Sequence, residues 1–126
     1  MTELDRVGEN VRRAVLGDEH VDNAIATATP FTAPFHEYVT RSAWAQVWSR
    51  SELDRRTRSL LTLALLTALR AETELEMHVR VAVRLGVSPV EIRETLLHTA
   101  VYAGAPAANA AFAVAARVLA ELGVST

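Results

Sequence analysis

The sequence predicts an all-α fold: one domain spanning residues 1–126, built as a bundle of about six or seven helices. Three observations carry this prediction. Apolar residues recur at helical spacing along nearly the whole chain, and no segment alternates as a strand would. Glycine, proline and small polar residues fall where helices start and stop. Residues 60–69, Leu-Leu-Thr-Leu-Ala-Leu-Leu-Thr-Ala-Leu, are apolar on almost every side, which places that helix centrally or between subunits.

The elements follow in order. A first helix is expected over residues 3–16, ended by Gly17. Asp18 can cap a second helix carrying Val21, Ile25 and Ala28, which Pro30 breaks. After a proline-bounded turn, a third helix is expected over residues 34–48, with Phe35, Val39, Ala43 and Val47 on one stripe. Ser51, with Asp54 three residues on, can cap the helix that runs to Leu69. Thr73 and Glu76 have capping-box spacing for the next helix, closed by Gly86. Ser88-Pro89-Val90-Glu91 is the clearest start signal: a cap, a proline at the first helical position and a glutamate at the third. That helix should reach Tyr102. Gly104-Ala105-Pro106 is a break, and an alanine-rich helix is expected over residues 107–122. An apolar helix in so short a chain favours a homo-oligomer.

Composition narrows the function. Half of the residues are hydrophobic, enough for a core at this length. Thirteen basic against fifteen acidic residues leave a formal net charge of -2, which argues against nucleic acid or an anionic membrane as partner. All the cationic side chains other than histidine are arginine, and there is no lysine. There is no cysteine, so disulfides, thiolate metal sites and thiol redox catalysis are excluded. No apolar run approaches the ~20 residues of a membrane span, and the amino terminus is acidic and polar, unlike a signal peptide. A cytoplasmic protein is expected. His20, His36, His78 and His98 are scattered without ligand spacing, so no metal site is expected.

Several residues could carry chemistry. His78 lies one turn into a helix with Glu74 four residues before it, a pair that could orient an imidazolium as proton donor. The same spacing also describes an ordinary exposed helix pair worth ~0.3–0.5 kcal/mol. Trp44 and Trp48 are four apart, with Arg41 three residues earlier. Arg41 could hold a carboxylate while an indole excludes water, or the pair could be packing alone. His36 opens the same helix. Arg55, Arg56 and Arg58 cluster at a helix amino terminus, where cations oppose the dipole and an anion could compensate. Arg80 and Arg84 form a further pair. His98, Tyr102 and Asn109 surround the Gly104 break.

Several of these stretches resemble one family. Arg12-Arg13-Ala14-Val15-Leu16-Gly17-Asp18-Glu19-His20-Val21-Asp22 is similar to the amino-terminal signature of γ-carboxymuconolactone decarboxylases. So are Thr40-Arg41-Ser42-Ala43-Trp44 and Val47-Trp48-Ser49-Arg50. Arg56-Thr57-Arg58-Ser59-Leu60-Leu61-Thr62, Leu75-Glu76-Met77-His78-Val79-Arg80 and Val101-Tyr102-Ala103-Gly104-Ala105-Pro106-Ala107-Ala108-Asn109 continue in register. The resemblance covers about residues 6–120 and implies the alkylhydroperoxidase-like fold. The peroxidase branch of that superfamily carries Cys-x-x-Cys before a helical histidine. Here Ala71 and Glu74 stand at those positions, so thiol chemistry is absent.

The resemblance implies a small-molecule substrate, 4-carboxymuconolactone, a lactone dicarboxylate of aromatic breakdown. It also implies a reaction without cofactor and a ring of subunits, a trimer or hexamer. It makes His78 the proton donor or oxyanion partner, with Glu74 tuning it. Arg41 and Arg80, with Arg58 as a third, become candidates to grip carboxylates. Trp44 and Trp48 would exclude water, and His36 and Tyr102 would line the pocket. Three positions depart from the family pattern: His98 replaces a frequent Gln, Ala103 a Cys and Ala113 a His, and neither alanine can do polar chemistry. Two other readings stay open: a non-redox relative catalysing another proton transfer, isomerisation or cyclisation on a lactone or enol in biosynthesis, and a non-catalytic oligomeric subunit.

Overall fold

The computed structural model describes residues 1–126 and contains helices and their connections, with no strand. The chain forms two compact units, Met1–Asp54 and Arg55–Thr126. No helix is long and apolar enough to cross a membrane.

The amino-terminal unit begins with α1 (Glu3–Leu16). Its start is fixed by a capping box that the sequence reading did not pick out. The Asp5 amide donates to Thr2 Oγ1 at 3.2 Å, and the Thr2 amide donates to Asp5 Oδ2 at 3.0 Å. Gly17, at φ 93°, turns the chain into α2 (Asp18–Thr27) and is itself the cap, so Asp18 is the first helical residue and not the capping one. The single third helix expected over residues 34–48 is two segments: α3 (Ala33–Val39) and a π-helix (Thr40–Trp48). The wider winding shows at its end, where the Ser49 amide donates to the Trp44 carbonyl five residues back, at 3.1 Å. This shifts every side chain relative to an α-helical wheel. Val47 of the expected stripe is exposed while Trp44 and Ala45 are buried, and Phe35, which lies in α3 before the π-helix, is exposed as well.

One glycine sets the spacing of this unit. A Cβ at Gly8 would lie 2.2 Å from the Thr40 carbonyl oxygen and 2.8 Å from the Thr40 methyl. Only a residue without a side chain lets α1 lie this close to the π-helix.

The second unit packs α4 (Arg55–Ala68), α5 (Glu72–Arg84), α6 (Pro89–Ala103) and α7 (Ala105–Glu121) around one core. Leu63, Leu75, Ile92, Leu96, Ala111 and Val118 are all within 1% of complete burial. Alanines at 107, 108, 111 and 115 on the inner face of α7 let that helix approach its neighbours closely. The start of α4 is Arg55, three residues later than a cap at Ser51 suggested, because residues 51–53 bend. No side chain caps α5; Thr73 lies inside the helix and the Thr73–Glu76 box does not form. The Ser88 box does form, with Glu91 N to Ser88 Oγ at 3.1 Å and Ser88 N to Glu91 Oε1 at 2.9 Å. The break before α7 is Gly104 alone, at φ 99°, and Ala105 and Pro106 already belong to the helix. Arg56 pairs with Glu91, joining α4 to α6. Arg117 pairs with Glu76 at 3.3 Å, and Arg80 with Glu121, joining α5 to α7.

Residues 60–69 are not enclosed all round. Leu63 is fully buried, but Leu61, Leu65 and Leu69 form an exposed row one turn apart.

Gly8→Ala should destabilise the protein by about 1–3 kcal/mol, despite alanine's better helix propensity, because Thr40 backbone leaves no room for the methyl. Urea unfolding followed by circular dichroism checks this; an unchanged or raised midpoint would show that the two helices can separate at no cost.

Candidate functional site

In the amino-terminal unit, three positions on one face of α1 meet the following helices in antiparallel order. Asp5 takes Arg41: Nε donates to Oδ1 at 2.6 Å and Nη2 to Oδ2 at 3.1 Å. Gly8 touches Thr40. Arg12, one turn further, lines a cleft of about 440 Å³ together with Val21, Ile25, His36, Glu37 and Arg41.

The charges in this cleft are unevenly satisfied. The Arg41 guanidinium holds the Asp5 carboxyl well below the usual carboxylate range, and the Thr2 amide adds to the effect. Asp5 in turn raises Arg41. Arg13 is bound by Glu9 at 3.3 Å, Asp18 at 3.2 Å and Asp22 at 2.9 Å. Arg12 beside it is half-buried and has no ion pair. Desolvation lowers its pKa, the Arg13 charge lowers it further, and Glu9 offsets part of this. The Arg12 charge also reaches His20, which desolvation and Arg12 together hold below its ordinary value.

Trp44 and Trp48 lie in the same unit, with ring centroids 5.2 Å apart and planes at 40°. Trp44 is buried and Trp48 half-buried. His36 is half-buried at the cleft wall and touches Phe35 edge-on, at 6.2 Å between centroids. The structure therefore brings Arg41 and His36 to one cleft.

In the second unit, His78 is the buried histidine of the chain, 9% exposed on the inner face of α5 between Leu75 and Val79. Glu74, four residues earlier, is exposed. Arg80 points along the outer side of α5 and is engaged by Glu121 and, at 3.6 Å, by Glu76. Arg58 is half-buried in the first turn of α4. Tyr102 is 80% exposed and lies against His98, with ring centroids 5.2 Å apart and planes tilted by 40°. No three histidine or carboxylate side chains converge as a metal site would require.

Arg12 was not among the candidates read from the sequence, although a signal existed. Its i−4 and i+4 neighbours are Gly8 and Leu16, and the carboxylate at i−3, Glu9, is taken by Arg13. Arg13, by contrast, has Glu9 at i−4.

A model of the carboxymuconolactone decarboxylase family matches residues 33–117, a span that holds every candidate from His36 to Tyr102. The sequence is 44% identical to a 4-carboxymuconolactone decarboxylase of Acinetobacter baylyi over 118 residues, which is 94% of this chain and 88% of the relative. It is 47% identical to a nitrosuccinic acid decarboxylase of Metarhizium robertsii over 115 residues, 91% of this chain and 80% of the relative. A shorter stretch of 36 residues, 29% of this chain and 75% of the relative, is 50% identical to a 4-carboxymuconolactone decarboxylase of Pseudomonas putida.

The Asp5–Arg41 pair should make stability depend on acid. The folded pKa of Asp5 is depressed, so the pair's contribution is complete above the unfolded carboxyl pKa of about 3.9 and fades as pH falls below it. Asp5→Asn should lower the melting temperature at pH 7, and the gap to wild type should narrow below about pH 3.9. A gap that stays constant down to pH 2 would show that Asp5 acts through something other than its charge.

Proposed function

The chain belongs to the carboxymuconolactone decarboxylase family, and on that premise we propose that it is a cytoplasmic carboxy-lyase converting 4-carboxymuconolactone into the β-ketoadipate enol-lactone in aromatic catabolism. The observation that carries this reading is the 44% identity to the Acinetobacter decarboxylase along 94% of the chain.

The chemistry needs no added cofactor, because the substrate holds its own electron sink. The departing carboxylate sits on the carbon γ to the lactone carbonyl, across the ring double bond. As the C–C bond breaks and CO₂ leaves, the electron pair runs through the double bond onto the carbonyl oxygen and forms an aromatic furan-2-olate. A proton delivered next to the carbonyl then gives the enol-lactone. The protein has to grip the remaining carboxylate, dry the departing one, stabilise the oxyanion and supply one proton.

His78 is the proposed proton donor, supported by its burial among apolar side chains. Glu74 is its proposed tuning partner. Arg41, Arg80 and Arg58 are the proposed carboxylate ligands. Asp5 occupies one edge of the Arg41 fork, so Nη1 and the second Nη2 proton are what Arg41 offers. Trp44 and Trp48 are proposed to exclude water, and His36 and Tyr102 to line the pocket. The proposed assembly is a homo-oligomer, a trimer or hexamer, supported by the exposed row Leu61, Leu65 and Leu69.

A second reading has its own support, the 47% identity to the nitrosuccinic acid decarboxylase over 91% of the chain. The two substrates share more than their names suggest. In each, one carbon bears both the departing carboxylate and a CH₂COO⁻ arm, beside a group that accepts the electron pair. For nitrosuccinate the acceptor is the nitro group: loss of CO₂ leaves a nitronate, and protonation at carbon gives 3-nitropropanoate.

Freshly generated 4-carboxymuconolactone should release CO₂ faster with the protein than without it, and nitrosuccinate assayed in parallel decides between the two readings. Intact protein that accelerates neither would rule out both. His78→Ala should cut the turnover rate by ~10²-fold or more while the protein remains folded; an unaltered rate removes His78 from the mechanism. Leu65→Glu should shift the assembly toward monomer in light scattering coupled to gel filtration, and an unshifted mass would clear that face of a role in assembly.

A further inference from the structure

We propose that the cleft of the amino-terminal unit is a carboxylate-binding subsite in which the Arg12 guanidinium takes the carboxylate of a short CH₂COO⁻ arm. The identification of the arm rests on the decarboxylase reading; the anion site itself rests on the cleft.

The argument starts from what is already paired. Arginines cluster with acids in this unit: Arg41 holds Asp5 with two hydrogen bonds, and Arg13 gathers Glu9, Asp18 and Asp22. Two of the carboxylates lining the cleft, Asp5 and Glu9, are thus taken. Arg12 lines the same cleft, half-buried, with no carboxylate of its own. A guanidinium removed from water without a counter-ion is costly, and a ligand carboxylate recovers that cost. Its planar fork matches a carboxylate with two parallel hydrogen bonds.

The surroundings suit a short arm as well as its charged end. Ile25, exposed and backed by the fully buried Val21, lines the cleft and gives methylene groups an apolar surface. His36 and the unused edge of Arg41 supply further donors at the wall. Glu37 is the one lining carboxylate with neither Arg41 nor Arg13 bound to it, so it opposes an incoming anion. The position of Arg12 follows from the backbone: Gly8 brings α1 against Thr40, and Arg12 stands one turn beyond on the same face.

Succinate, a plain dicarboxylate that cannot react, is the probe. Isothermal titration calorimetry on the full chain at low ionic strength should give saturable binding. Arg12→Gln should weaken it by roughly tenfold to a hundredfold. Arg12→Lys should fall between, because the charge stays and the fork is lost. Glu37→Gln should tighten binding, and Arg84→Gln, on exposed α5 surface, should leave it unchanged. Wild-type protein that shows no saturable binding overturns the proposal. So does an affinity that ignores both Arg12→Lys and Glu37→Gln, two variants gentle enough to keep the fold if Arg12→Gln does not. Failure of the two readings is separable. Arg12-dependent succinate binding without CO₂ release from either substrate sinks the decarboxylase reading and keeps the subsite. CO₂ release with succinate affinity indifferent to Arg12 does the reverse.

Discussion

The amino-terminal unit depends on one close approach, the backbone of α1 at Gly8 against the carbonyl of Thr40. It stands where the chain passes from α-helical to π-helical winding, and it aligns one face of α1 with the helices that follow. Asp5 meets Arg41 on one side of the contact and Arg12 reaches the cleft on the other. A side chain at position 8 would push α1 outward, stretch the two-bond pair at Asp5 and open the cleft wall together. The hydrogen bonds here are thus conditional on a steric fact: geometry comes from the missing Cβ, and the charges then lock it.

Charge is distributed in two distinct ways along the chain. In the second unit, Arg80, Glu76, Arg117 and Glu121 close on one another across α5 and α7. These groups are roughly half exposed, so the ring adds little energy and mainly selects how the two helices line up. In the first unit the accounts stay open: three acids surround Arg13 and none pairs with Arg12. This leaves a half-buried cation beside a cleft, which is the pattern expected where binding matters more than folding.

Local signals make most of the fold legible in the sequence itself. The Ser88-Pro89-Val90-Glu91 start is a short-range hydrogen-bonding pattern, and it formed as read. Gly17 and Gly104 end helices because their positive φ suits no other residue well. What could not be read depended on winding and on distance. Nothing local distinguishes Thr40–Trp48 from an α-helix, so an α-helical period carried through to Val47 puts that side chain on the wrong face. Ser51 looked like a cap because cap chemistry is common in bends too. Among the candidate residues, local spacing marks Arg41 and Arg80, but Asp5 and Glu121, which engage them, lie 36 and 41 residues away and carry no local mark. Arg12 was overlooked for the opposite reason: its distinguishing feature is a partner it lacks.

The paired indoles of Trp44 and Trp48 have a practical meaning for studying the two units. Both tryptophans of the chain belong to Met1–Asp54, and the other unit has none. Indole emission is therefore a private channel for the amino-terminal unit, while far-ultraviolet ellipticity counts helix in both. Two melting curves recorded on one sample can tell whether the units come apart together or in turn, without a label or a cut in the chain.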